Sequence, residues 1–291
     1  VWRAAGGGGD PAPIGASGGP QAPIALVGVR PCEVAAIGIL DGVLGRSPVP
    51  DPDFVAARRA LFVCTVECGR PSASCFCESM GTGPSAESGF DLALTEIRDA
   101  DGERFLVRAG SERGAGVLAG IRTLSAEERD LKAREAVVAR ARAGLVRRVD
   151  TAGLPRLLER NLENPRWSEV AARCLSCGNC TQVCPTCFCV SIEDVTDVTT
   201  GIERHRRWAS CFEVGHSYLH GGAVRPSTRA RYRQWLTHKL GTWFEQFGTS
   251  GCVGCGRCLT WCPVGIDLTE EVAAIRSSDV GNPVPAGERG V

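Results

Sequence analysis

The chain has 291 residues, 33 basic against 33 acidic side chains, 43% hydrophobic residues and 16 cysteines. That length suits about two domains, each able to bury its own core. The balanced charge leaves no electrostatic footprint for nucleic acid, and the lack of a long apolar run or export signal argues against membrane insertion.

Residues 1–23 are rich in Gly, Pro and Ala, with Gly6 to Gly9 consecutive, and read as a flexible lead-in. The glycine run is no dinucleotide fingerprint, because no strand precedes it and no helix follows. IALVGV at 24–29 predicts a buried strand. Pro31 and Glu33 suit the first turn of a helix that ends near Asp41–Gly42. Asp51-Pro52-Asp53 signals a second helix over 54–60. LFVCTV at 61–66 predicts another buried strand, and 92–97 and 104–107 predict two more, joined by a turn at Asp101–Gly102. This alternation over 24–123 predicts an α/β domain. Ser125 and Glu128 form a capping-box pattern that opens a helix reaching about Arg148. That helix and a second one from Leu154 make 124–164 a helical connector, broken at Asn164–Pro165.

Residues 165–291 predict a helix-rich, two-cluster ferredoxin-like domain. Cys174, Cys177, Cys180 and Cys184 precede Pro185; Cys252, Cys255, Cys258 and Cys262 precede Pro263, each set 78 residues from the other. Both read C-x2-C-x2-C-x3-C-P, the bacterial two-cluster ferredoxin signature. Soft thiolates select iron–sulfur clusters or zinc, and zinc ribbons use paired knuckles rather than three cysteines at three-residue steps. The expected cofactors are two 4Fe–4S clusters. One is assigned to Cys174, Cys177, Cys180 and Cys262, the other to Cys252, Cys255, Cys258 and Cys184. Non-crossed ligation is the alternative, since 67 residues separate Cys184 from Cys252. That insertion is expected to be helical. Within it Tyr232, Leu236, Leu240, Trp243 and Phe247 recur at helical spacing and read as core. Free thiolates at this density call for a reducing, cytoplasmic setting.

Eight further cysteines remain. Cys64 inside LFVCTV reads as a small buried hydrophobe. Cys68, Cys75 and Cys77 share a Gly/Pro/Ser-rich loop, and Cys32 follows the first strand at the end where α/β sheets place their sites. These four either hold a third cluster or are loop cysteines. Cys187, Cys189 and Cys211 either pack against the first motif or ligate something unassigned. His205, His216, His220 and His238 lack metal-pair spacing. No catalytic residue is assigned, because clusters without a flavin or nucleotide motif move electrons rather than do two-electron chemistry. Arg204, Arg206, Arg207, Arg229, Arg231 and Arg233 form either a solvated face or a partner-docking surface.

Taken together, GVRPCEVAAIGILD (28–41), CFCESMGTGPSAESGFDLALTE (75–96), CPTCFCV (184–190), RYRQWLTHKL (231–240) and GTSGCVGCGRCLTWCPVGID (248–267) resemble the iron–sulfur beta subunit of soluble, sulfhydrogenase-type nickel–iron hydrogenases. The A subunit of anaerobic sulfite reductase carries related segments and is the alternative. The hydrogenase resemblance spans about 24–270. It implies a cytoplasmic complex in which this carrier joins a nickel–iron catalytic pair and a flavoprotein that reduces NAD(P). Members of that family have more sequence ahead of the segment matching residue 24, so the α/β domain is expected to be incomplete at its start.

Overall fold

The protein is described by a computed structural model over residues 2–4, 12–13, 22–100, 102–197 and 201–279. Two short strands, β1 (Trp2–Ala4) and β2 (Ala12–Pro13), lie within the stretch expected to be a flexible lead-in. They pair with each other, and β1 adds to a hairpin much further along the chain. Backbone N–H and C=O groups at a sheet edge accept any residue type, so Gly/Ala-rich composition does not prevent pairing. Gly6 to Gly9 lie outside the described residues.

Strand β3 (Ile24–Val29) leads into α1 (Pro31–Leu40), where the Glu33 carboxylate accepts the Arg30 N–H at 2.7 Å and closes the first turn. The helix runs on into a π-turn, Asp41–Gly45. Asp51 then caps α2 (Pro52–Ala60), accepting from the N–H groups of Asp53 and Phe54 at 3.0 and 3.1 Å. Strands β4 (Leu61–Val66), β5 (Leu92–Asp99) and β6 (Gly102–Ala109) complete a sheet of order β3-β4-β5-β6. The first three strands are parallel; β5 and β6 form an antiparallel hairpin whose Asp101 is outside the described residues. Contrary to the sequence expectation, β3 is not buried. It is the edge strand, and Val27 is 76% exposed. Its apolar composition predicts a strand, but whether anything covers a strand depends on neighbours that composition does not specify. Between Val27 and Val29 the register with β4 slips, and Gly28 occupies the bulge at φ +86°, a value that favours glycine.

After α3 (Glu112–Ala119), helix α4 covers Glu128–Ala143. Its cap is Glu127 with Asp130, whose carboxylate accepts the Glu127 N–H at 3.0 Å, not Ser125 with Glu128. Glu128 is already the first helical residue, so it cannot reach back as a third-position cap, and Gly144 ends the helix short of Arg148. This helix packs on β5 and β6. Arg134 of α4 and Arg108 of β6 both pair with the fully buried Glu67 carboxylate just past β4, at 2.6 and 2.8 Å. The remaining helix of the expected connector, α5 (Leu154–Arg160), packs instead on later helices.

Beyond Pro165 come α6 (Arg166–Arg173) and the short α7 (Asn179–Gln182). The insertion expected to be helical opens with a β-hairpin, β7 (Val190–Asp197) and β8 (Gly201–Trp208). A small ladder of β9 (Tyr218–Leu219) and β10 (Gly222–Ala223) follows. Its helical part is α8 (Thr228–Thr237), a π-turn at His238–Thr242, and α9 (Trp243–Phe247). The run ERHRRW is polar almost throughout, which suits a solvated two-stranded ribbon but gives no apolar–polar alternation to mark a strand in the sequence. Helices α10 (Arg257–Thr260) and α11 (Leu268–Ser277) close the fold. The larger core joins Leu157, Trp167, Tyr232, Leu236, Leu240 and Ile275 from five helical segments, with Cys174, Cys180, Cys258 and Cys262 packed against it. A second, smaller core of Val34, Val63, Ala86, Phe90 and Ala93 lies in the α/β part.

Candidate metal centre

The two cysteine motifs fold alike because they ask the same of the backbone. Ser176 and Gly254 hold equivalent places and both have positive φ, +53° and +62°; Gly178 and Gly256 follow at +77° and +73°. These left-handed residues curl each loop so that its backbone points inward. Ser176 N–H donates to Cys174 Sγ and Gly254 N–H to Cys252 Sγ, both at 3.4 Å. Each third cysteine then sits on a short helix, α7 or α10, and these two helices pack together.

One cavity is lined by Cys174, Cys177, Cys180 and Cys262, with Cys258 also on its wall. A neighbouring cavity is lined by Cys184, Cys252, Cys255 and Cys258, with Cys180 at its border. The last cysteine of each motif thus stands with the first three of the other, the crossed grouping. Burial pushes the Cys180 thiol up to about 12, reinforced by charge on Cys174, Cys177 and Cys262. Burial likewise pushes Cys255 up to about 12 and Cys252 up to about 11. Sulfurs set this close, several of them buried, cannot all ionise unless cations share the space, and iron at the corners of a cube would provide them. The cavity walls fit such a group. Tyr232 and Trp235 line the first cavity, and their buried hydroxyl and indole N–H have no hydrogen-bond partner among the described residues. A cluster's sulfides are acceptors for such donors.

Lys239, not singled out from the sequence, is buried between the cysteines. Its Nζ donates to Cys184 Sγ at 3.2 Å, Thr186 Oγ1 at 3.1 Å and the Gly251 carbonyl at 3.1 Å. Burial opposes its charge, yet the adjacent sulfurs of Cys184, Cys187 and Cys252 hold its pKa well above the ordinary lysine value. The clue in the sequence was a lysine inside an otherwise apolar helical stripe.

The loop cysteines also meet. Burial raises the Cys32 thiol, and the charges of Cys255, Cys77, Cys68 and Cys75 all act on it. The four lie next to the second ferredoxin loop: Cys75 Sγ approaches the Cys255 carbonyl at 3.7 Å, Phe76 N–H donates to the Gly254 carbonyl at 2.9 Å, and Thr82 Oγ1 donates to the Val253 carbonyl at 2.6 Å. The Arg30 guanidinium faces Cys68. Cys64 lies apart, buried in β4. Cys187, Cys189 and Cys211 line another cavity, beside Lys239 and Trp243.

The arginines of the insertion are largely spent on partners within the chain. Arg204 pairs with Asp194, Arg206 with Asp51, and Arg207 with Glu193. Arg229 and Arg233 share Glu163, and Arg231 is buried, donating to the carbonyls of Arg225 and Pro226. Arg204 and Arg207 keep 60% and 61% of their side chains exposed within these pairs. Of the histidines, His205 pairs with Glu203 and His238 with Gln246. Among the described residues no helix is long and apolar enough to cross a membrane.

Crossed cysteine quartets beneath a helical core define a 4Fe–4S dicluster protein, and the 4Fe-4S dicluster domain family matches residues 173–266. The chain is also 33% identical over 248 residues to "Sulfhydrogenase 2 subunit beta" of Pyrococcus furiosus, an alignment covering 84% of this chain and 72% of that protein. It belongs to the sulfhydrogenase beta-subunit family. No solved structure matches it.

Proposed function

We propose that this chain is the iron–sulfur electron-transfer subunit of a cytoplasmic nickel–iron hydrogenase complex, working between a nickel–iron catalytic pair and a flavoprotein that reduces NAD(P). The observation that carries this reading is the pairing of eight motif cysteines into two adjacent quartets. Cys174, Cys177, Cys180 and Cys262 would hold one 4Fe–4S cluster, and Cys184, Cys252, Cys255 and Cys258 the other. Bound clusters of this kind take up and release electrons singly. The chain's own residues keep the sites dry behind Tyr232, Trp235 and Leu268, donate N–H groups to the sulfurs, and balance charge with Lys239. The functional units follow as the α/β domain over 24–123, the helical stretch 124–164, and the dicluster domain over 165–291.

The test is to purify the chain anaerobically and offer it H2, NADPH and sulfite. The expected result is a protein that exchanges electrons with dyes but turns over none of the three alone. Added hydrogenase and flavoprotein subunits should restore H2-dependent NAD(P) reduction. Robust turnover by the isolated chain overturns the proposal, and restoration of sulfite reduction by a sirohaem subunit instead selects the sulfite reductase alternative.

Cys32, Cys68, Cys75 and Cys77 support a third cluster site in the α/β domain, since Cys32 in the first turn of α1 lies within electrostatic reach of the three loop thiols and of Cys255. A C75A/C77A double variant should lose about four irons per chain, one cluster's worth. Full retention of the parent's iron removes this site.

A further inference from the structure

Apart from Cys64 in β4, three thiols remain after the two ferredoxin quartets and the α/β quartet are set aside, and they come together from distant parts of the chain. Cys187 and Cys189 follow the first motif directly; Cys211 arrives after the β7–β8 hairpin, which folds the chain back so that Ala209 N–H donates to the Cys189 carbonyl at 3.0 Å. All three line one cavity, whose other walls include Trp235, Lys239 and Trp243. The two ferredoxin quartets line cavities of the same kind, so this pocket repeats a pattern the protein already uses.

Two further observations point to a bound group. The indole N–H of Trp243 is buried and has no hydrogen-bond partner among the described residues, though the side chain borders this pocket. Buried donors are seldom left unpaired, and inorganic sulfide would accept from them. In addition, among the described residues no three Cys, His, Asp or Glu side chains converge tightly enough for one metal ion. That is equally true of the ferredoxin quartets. Thiols spread around a void suit a polynuclear cluster rather than a single zinc.

His238 borders the pocket, but its Nε2 is engaged by Gln246 at 3.0 Å. We propose that Cys187, Cys189 and Cys211 form an additional iron–sulfur cluster site, held by three thiolates. It adjoins both ferredoxin sites: Trp235 lines all three cavities, and Lys239 lines this one and the second ferredoxin cavity. The proposal extends the electron-carrier reading but does not depend on the third site in the α/β domain.

The test uses the full chain, reconstituted anaerobically with iron and sulfide. C189S and C211S should each lose about four irons and four labile sulfides per chain relative to the parent. C64A, which removes a buried thiol lying apart from every proposed site, should keep the parent's iron, so that loss in C189S and C211S reads ligation rather than misfolding. C177S serves as the control on the ferredoxin reading: if it loses no iron, that reading fails, whatever the other variants show. Unchanged iron in both C189S and C211S overturns the proposal. So does a parent in which these two cysteines are found joined as a disulfide after reconstitution.

Discussion

At the scale of single residues, Lys239 is the side chain with the largest leverage on the clusters. An ammonium 3.2 Å from Cys184 Sγ, sealed from water, favours the more negative, reduced state of whatever the sulfur holds. A charge-assisted hydrogen bond contributes about 1.5–3 kcal/mol. For a one-electron couple, about 1.4 kcal/mol corresponds to about 59 mV. Lys239→Met keeps the length and apolar stem but removes the charge, and should lower one cluster potential by about 60 mV or more. A redox titration followed by electron paramagnetic resonance reads this directly, and an unchanged potential would show the lysine to be structural only. The eight motif cysteines were legible from spacing. Lys239 was not, because a lysine in a helical stripe reads as solvated until tertiary packing closes over it.

At the scale of elements, the contact between the Cys75–Cys77 loop and the second ferredoxin loop decides how the two halves join. Gly256 sits at φ +73°, and a Cβ there would lie 2.2 Å from the Ser74 carbonyl oxygen. The backbone penalty of a left-handed alanine is about 1–2 kcal/mol, and the clash with another backbone adds to it because neither loop can yield without moving its cysteines. Gly256→Ala should therefore lower the melting temperature and release iron from sites on both sides of the contact; a variant matching the parent in both would show that the loops separate freely. Element types along 24–109 were readable in chain order because apolar runs, proline and aspartate punctuate them. Their burial was not. The strand at Ile24–Val29 is an exposed edge, and the insertion after Cys184 begins with a charged hairpin rather than a helix, a segment easily passed over beside a strong helical stripe.

At the scale of the whole molecule, the exposed segment between α3 and α4 offers a place to cut the chain without touching either core. Arg122 lies there, with Leu124 95% exposed nearby. Brief trypsin treatment of the cluster-loaded protein should nick this segment while the fragments stay together on size exclusion. They are held by the Phe76–Gly254 and Thr82–Val253 hydrogen bonds and by the ion pair between Glu33 and Arg257. Fragments that elute apart would mean that the α/β part and the dicluster part are independent bodies.

The amino-acid sequence by itself determined the ligand chemistry: sulfur type, loop spacing and the proline after each motif are local properties that survive in any fold. It also carried the alternation of strands and helices, since periodicity and capping act over a few residues. The motif offered both a crossed and a non-crossed grouping; that Cys262 stands near Cys174, and Cys32 near Cys77, comes about only after helices and loops far apart in the chain have packed. The same holds for the fate of the arginines. Their charge is visible in the sequence, but whether it faces a partner or an internal carboxylate depends on distances that only the folded chain creates.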